Sequence, residues 1–92
     1  MKVKVKYFSG LNETFGRYED SIELDDRAGL YTLLETICRS AECHEALFDG
    51  SGGLRHELAL FRNGTVIPRP DRGQTRLADG DEIIILPMVE GG

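Results

Sequence analysis

The stretch ADGDEIIILPMV, residues 78 to 89, decides how the rest of the chain is arranged. An Asp-Gly turn at Asp79-Gly80 precedes the β-branched run Ile83–Ile85, and Pro87 closes that run. The run is apolar on both faces, whereas a strand with one solvated face alternates apolar and polar residues. It predicts a central strand that is covered on both faces, or one whose outer face binds a partner.

Two strands are predicted before any helix. Residues 2–8, KVKVKYF, alternate lysine with apolar residues, and residues 18–24, YEDSIEL, alternate again. Residues 9–16 between them are rich in turn formers and predict a loop that joins a hairpin. In this pattern the residues of the first strand that face the core are Val3, Val5 and Tyr7.

A helix is predicted over residues 25–41, with Asp25 or Asp26 as its N-cap. Its apolar stripe, spaced at i, i+3, i+4, i+7 and i+8, consists of Leu30, Leu33, Leu34, Ile37 and Cys38. Residues 43–48 predict a short helical turn. The next strand, residues 54–61, has Leu58 and Leu60 as its core pair.

The remaining elements predict a mixed sheet. Asn63-Gly64 is a strong hairpin signal and leads into a short strand, Thr65–Ile67, after which residues 69–77 form a linking loop. The predicted order is β-β-α-β-β-β. A single helix can cover only one face of a sheet. The most compact arrangement is therefore a mixed sheet that curls around that helix, with the last strand parallel to the first and both strands at its centre.

The bulk composition narrows the classes of function. A chain of 92 residues with a formal charge of -5 and no Lys/Arg run argues for one domain and against nucleic acid or a membrane as the partner. Neither a membrane span nor a signal-peptide core is visible, and a cytoplasmic protein is expected. Cys38, expected to be buried, and Cys43, expected to be exposed, do not form a metal framework with His44. His44 and His56 are expected at the surface.

An apolar patch is predicted on the face of the sheet opposite the helix. If Val3, Val5 and Tyr7 face the helix, the same alternation on the later strands turns a second set of apolar side chains outward. That set is Phe8, Phe61, Ile84 and Leu86, with Val66 at its edge. A solvated sheet face does not carry such a set, so the patch predicts a binding surface that leads toward the C-terminal tail. The alternative is that one strand pairs one residue out of the expected register, which would turn these side chains into the core.

The chain resembles the MoaD/ThiS family of ubiquitin-like, β-grasp sulfur carriers. The resemblance rests on LADGDEIIILPMVEGG (77–92), the opening VKVKYF, the helix LYTLLETI and the hairpin RNGTVI. It implies an α+β fold with a mixed four- to five-stranded sheet on one main helix. The implied division is a domain over residues 1–87 and a flexible tail over residues 88–92.

The resemblance also implies the chemistry of the tail. A ubiquitin-activating-type (MoeB/ThiF-like) adenylyltransferase uses ATP to adenylate the carboxylate of Gly92, and a sulfur donor displaces AMP to leave a thiocarboxylate. Gly91 and Gly92 lack side chains that would hinder entry into a narrow active site. Pro87 helps to project the tail and is expected among the partner-binding residues together with the patch. The chain itself is expected to bind no cofactor or metal and to catalyse nothing alone. Phe8 and Leu86 match positions that contact the activating enzyme and the large subunit of molybdopterin synthase.

The acceptor of the sulfur stays open at this stage. The leading hypothesis is a sulfur carrier that is the small subunit of molybdopterin synthase, in the synthesis of the molybdenum or tungsten cofactor. The long loop FDGSGGLRHE (48–57) resembles the members that serve cysteine biosynthesis, and thiamine biosynthesis is a related alternative. Further alternatives are a ubiquitin-like modifier conjugated to lysines and a non-covalent binding module.

Overall fold

The computed structural model describes residues 1 to 88 and contains five strands and four short helices. The strands are β1 (Lys2–Tyr7), β2 (Glu19–Glu23), β3 (Leu58–Arg62), β4 (Thr65–Val66) and β5 (Glu82–Pro87). The helices are α1 (Leu11–Phe15), α2 (Leu30–Ile37), α3 (Ala41–Leu47) and a 3-10 helix at Arg69–Gln74. None of the helices in this part of the chain has the length and apolar character needed to cross a membrane.

The strands form one mixed sheet in the order β2-β1-β5-β3-β4. β1 and β5 are parallel neighbours at its centre, and the other pairs are antiparallel. The predicted α+β, β-grasp architecture is therefore confirmed, including the central position of the isoleucine-rich strand.

The core lies between the sheet and α2. Ile83 and Ile85 of β5 and Leu60 of β3 are fully buried, as the alternation of each strand predicts. They meet the buried leucines of α2, Leu33 and Leu34, in one continuous cluster. Full burial of an aliphatic side chain contributes about 1.5–3 kcal/mol, so this layer is the main source of stability.

The predicted loop at residues 9–16 contains the helix α1. Leu11 and Phe15, four residues apart, are its buried residues, and the ring of Phe15 stacks on that of Tyr7 with centroids 4.5 Å apart. Gly10 and Gly16 bracket the helix with φ of 96° and 75°, a left-handed conformation that favours glycine. The turn residues were recognised in the sequence, but the apolar pair between them was not.

The main helix begins later than the sequence predicts. Its N-cap is Gly29, not Asp25 or Asp26, because the preceding residues bond to another segment. Gly29 forms a β-bridge with Arg76, and the N–H of Leu30 donates to the carbonyl oxygen of Thr75 at 3.0 Å. A Cβ at position 29 would lie 3.2 Å from that oxygen, so glycine permits the close approach.

The helix also ends earlier, at Ile37, and a separate helix follows. The hydroxyl of Ser40 caps α3 by accepting from the N–H of Cys43 at 3.2 Å. This break reverses the expectation for the cysteines. Cys43 is buried and its thiol lies 3.7 Å from the carbonyl oxygen of Thr14, whereas Cys38 is half-buried. Burial, with smaller contributions from Cys43 and Glu35, raises the pKa of Cys38 to about 11.

The third strand is shorter than predicted and begins at Leu58. Residues 54–57, expected to begin this strand, are not part of it. Leu54 instead forms a β-bridge with Phe48, and the N–H of Arg55 donates to the carbonyl oxygen of Leu47. The predicted linking loop contains the 3-10 helix, which is held to this strand by the buried Arg72. Its Nη2 donates to the carbonyl oxygen of Leu58 at 2.7 Å.

A buried carboxylate, Asp81, holds the start of β5 in place. It accepts from Arg62 Nε at 2.9 Å, from the side-chain amide of Asn63 at 3.0 Å and from the N–H of Ala78 at 2.8 Å. Burial on its own raises the pKa of Asp81, but the hydrogen bonds from Ala78, Asn63 and Arg62 outweigh it, and the pKa is lowered. The carboxylate joins the β3–β4 hairpin to the turn before β5.

The substitution Asp81→Asn is expected to lower the free energy of unfolding by about 1.5–3 kcal/mol near neutral pH, because it removes a charged acceptor from three donors. A lowered folded-state pKa stabilises the fold above the usual carboxyl pKa of about 3.9, and this contribution is lost as the pH falls toward the folded-state value. Urea unfolding at about pH 7 and about pH 3 therefore finds the two proteins closer in stability at the lower pH.

The matched control is Asp71→Asn, which changes an exposed carboxylate and is expected to alter stability little at either pH. A difference between the wild-type and Asp81→Asn proteins that does not depend on pH would contradict the assignment.

Candidate functional site

The face of the sheet opposite α2 carries a row of apolar side chains across three strands. The register pairs Ile84 of β5 with Phe61 of β3, and Phe61 with Val66 of β4. On the other side of Ile84 the register places Lys6 of β1. Cross-strand neighbours on one face lie about 4.5–5.5 Å apart at Cβ, so these side chains are contiguous.

A second row lies beside the first. Leu86 pairs with Ala59 of β3, and Phe8, the residue after β1, donates its N–H to the carbonyl oxygen of Ile85. Continuing the β1–β5 register by one residue places Phe8 next to Leu86. The two rows together form the open-face patch, which consists of Phe8, Ala59, Phe61, Val66, Ile84 and Leu86.

The open-face patch is accessible to a partner. Phe8 is 45% exposed and Val66 is 51% exposed, while Phe61, Ile84 and Leu86 are half-buried by their neighbours. The structure therefore brings together all five residues that the sequence predicted on this face, and the alternative of an inverted strand is wrong. Its role in binding remains a prediction.

Pro87 was predicted in the same partner-binding set, but its register position is on the other face. It pairs with Leu58. Like Ile83 and Ile85, it belongs to the odd-numbered residues of β5, whose side chains face the helix. The backbone N–H and carbonyl groups of these odd-numbered residues point toward β1, as the hydrogen bond from the N–H of Phe8 to the carbonyl oxygen of Ile85 shows. Pro87 lies where β1 has ended, so its missing N–H costs no ladder bond.

The other half of the open face is charged. Lys2, Lys4 and Lys6 of β1 each lie near a glutamate, and the Nζ to carboxylate-oxygen distances are 3.9, 3.8 and 3.4 Å. Their partners are Glu23 and Glu19 of β2 and Glu82 of β5. The Lys6–Glu82 pair adjoins Ile84 and forms a polar rim for the patch, which the sequence did not reveal because it needs the β1–β5 register.

The end of the described chain lies beside the patch and is still paired with β3. The N–H of Met88 donates to the carbonyl oxygen of Glu57 at 2.7 Å, so the β3–β5 pairing continues one residue beyond the predicted domain boundary at 87. The proposed reacting residues Gly91 and Gly92, with the rest of the tail from 89, lie outside the described residues.

These features define a class of protein: a ubiquitin-like β-grasp domain with an open apolar face beside the end of its central strand. A scan against family models matches the ThiS family over residues 5–92. The chain therefore belongs to the ThiS family, and it is a ubiquitin-like sulfur carrier of the ThiS/MoaD type.

The similar proteins include both a sulfur carrier subunit and a protein modifier. A molybdopterin synthase sulfur carrier subunit from Chlamydomonas reinhardtii is 29% identical over 92 residues, covering 100% of both chains. The crystal structure of SAMP1, small archaeal modifier protein 1, from Haloferax volcanii has a TM-score of 0.84 with 26% identity and full coverage of both chains.

A third comparison contains a partner. The complex of subunits 1 and 2 of the molybdopterin-converting factor from Helicobacter pylori includes a chain with 26% identity and a TM-score of 0.61, again with 100% coverage of both chains.

Two threonine substitutions at adjacent positions test the assignment of faces. Ile85→Thr is expected to lower the free energy of unfolding by about 2–4 kcal/mol, because it removes buried apolar volume and buries a hydroxyl. Ile84→Thr, the matched control on the open face, is expected to cost less than about 1 kcal/mol. Equal losses for the two variants in urea unfolding would show that both faces of β5 are packed.

Proposed function

We propose that this chain is the sulfur-carrying small subunit of a molybdopterin synthase. In that role its C-terminal carboxylate is converted to a thiocarboxylate, which donates sulfur during synthesis of the molybdenum or tungsten cofactor. The similarity to a molybdopterin synthase sulfur carrier subunit supports this choice, and so does the similarity to a chain in a molybdopterin-converting factor complex.

The observation that carries the proposal is the continuity of the open-face patch with β5. Ile84 and Leu86 belong both to the patch and to the strand from which the tail continues. A partner that covers the patch is thereby placed next to the start of the tail. Apolar, half-buried side chains with a polar rim are the usual composition of a protein-binding surface.

The reacting group in this proposal is the carboxylate of Gly92. The family match extends through residue 92, and glycine at 91 and 92 leaves the tail narrow enough to enter an active site. Carboxylate oxygen is a poor leaving group, so activation with ATP by a MoeB/ThiF-like partner comes before sulfur enters. The chain acts as a co-substrate, and the ATP belongs to the partner.

A second candidate is a ubiquitin-like protein modifier, which the similarity to SAMP1 favours. Both functions need an activated carboxylate, but the modifier joins it to lysines of other proteins. Sulfur carriage for cysteine biosynthesis is a third possibility and is distinguished by the acceptor enzyme.

The first experiment concerns the tail. The purified chain, incubated with a MoeB/ThiF-like adenylyltransferase, ATP and a sulfur donor, is expected to exchange one oxygen for one sulfur in its intact mass. Deletion of Gly92 is expected to abolish the exchange without changing the thermal unfolding midpoint. Larger adducts joined through lysine isopeptides would favour the modifier instead, and an unchanged mass would count against both functions.

The second experiment concerns the patch. Ile84→Lys places a charge at its centre and is expected to weaken binding to the large subunit of molybdopterin synthase by at least about 100-fold. Gln74→Lys, an exposed residue of the 3-10 helix, introduces the same charge elsewhere and is the matched control. Calorimetric titration measures both, and equal affinities for the two variants would show that the interface lies elsewhere.

A further inference from the structure

β2 forms one edge of the sheet. The backbone N–H and carbonyl groups of its successive residues point alternately toward β1 and toward the outer side of the sheet. The carbonyl oxygen of Tyr18 accepts from the N–H of Tyr7 at 2.9 Å, and at the other end the N–H of Leu24 donates to the carbonyl oxygen of Met1 at 2.8 Å. In an antiparallel ladder alternate residues bond to the same neighbour. The even-numbered residues 18 to 24 therefore direct their backbone groups to β1.

The odd-numbered residues of β2 direct their backbone groups away from the sheet. The N–H and carbonyl groups of Glu19, Ser21 and Glu23 point to the outer edge, and no other segment of residues 1 to 88 pairs with that side. Exposed strand edges of this kind are templates on which another extended chain pairs.

A groove continues from this edge toward α2. It has a volume of about 600 Å³, and its apolar lining comes from Leu24 and Ala28 after β2. Thr32 and Thr36, one helical turn apart, line it from α2. At the other end of the edge, Tyr18 is 75% exposed and offers further apolar surface. A chain added to the edge would cover both apolar regions with the side chains that face α2.

The charge of the edge determines which chain fits. In an antiparallel pair of two copies centred on Ser21, Glu19 of each copy would face Glu23 of the other, and like charges directly opposite are destabilising. Asp25 adds negative charge at the groove, and Arg27 is the one cation among its lining residues. The edge therefore disfavours a second copy and favours a basic strand.

The sheet already contains an example of such a strand. β1, KVKVKY, pairs with the other side of β2 and places Lys2 and Lys4 beside Glu23 and Glu19 on the open face. Its valines alternate with these lysines and face α2.

We propose that the outer edge of β2 binds an extended basic segment of a partner protein by strand addition. Lysines or arginines of the segment lie opposite Glu19 and Glu23 on the open face, and the apolar residues between them lie over the groove. β1 separates this edge from β5 and the open-face patch, so both surfaces can be occupied at once. The proposal does not depend on which pathway receives the sulfur.

The probe is a capped synthetic peptide of about seven residues in which lysine and valine alternate, titrated into the isotope-labelled full chain. The amide resonances of Glu19, Ser21 and Glu23 are expected to shift, and those of Thr32 and Thr36 with them. Hydrogen exchange at the three edge amides is expected to slow. A peptide with glutamate in place of each lysine is expected not to bind. Absence of binding by the basic peptide, equal binding by the acidic one, or shifts confined to the open-face patch would overturn the proposal.

Two variants separate backbone pairing from charge. Ser21→Pro removes an outward N–H without breaking the β1 ladder and is expected to weaken peptide binding about tenfold, whereas Ser21→Ala keeps that N–H and is expected to bind as the wild type does. Glu19→Gln combined with Glu23→Gln is expected to weaken binding about tenfold and to reduce its dependence on salt. This double variant carries the test if the proline variant does not fold. Unchanged affinity in the double variant would contradict the assigned role of charge.

Discussion

The parallel pairing of β1 with β5 is the constraint on which the rest of the structure depends. Parallel neighbours cannot be joined by a tight turn, so everything between Tyr7 and Glu82 forms the connection. α2, the longest helix of that connection, packs on one face of the sheet, and none of the described helices covers the other. The apolar side chains at the open face of β5 are a direct consequence, because a central strand rich in isoleucine has one covered face and one uncovered face.

The uncovered face is divided by charge, and this division separates the surfaces that the protein offers. Glutamates and lysines cover β1 and β2, while β5, β3 and β4 carry the open-face patch. The Lys6–Glu82 pair lies at the boundary between them. A partner on the patch would therefore contact an apolar surface, whereas a basic strand on the outer edge of β2 would contact a charged surface of the same small domain.

The sequence predicted the strands and their faces better than the limits of the helices. Strict alternation assigned Val3 and Val5 to the core, and the same reasoning placed Ile84 outside, because a strand side chain has two possible directions and a period of two distinguishes them. The position of Gly29 as the N-cap was missed because it depends on the pairing of residues 28–30 with 75–77. A local capping rule contains no information about that distant segment.

The sequence by itself determined the succession of strands along the chain, the faces of the aliphatic residues of β1, β3 and β5 and the glycines of the tail, because these depend on local composition and period. Only the tertiary structure decided which cysteine is buried, that α2 begins after Gly29, and that the acidic strand β2 is an edge with a groove beside it. Those features depend on which segments become neighbours. Packing between residues far apart in the chain determines which segments become neighbours, and a local sequence pattern contains no information about it.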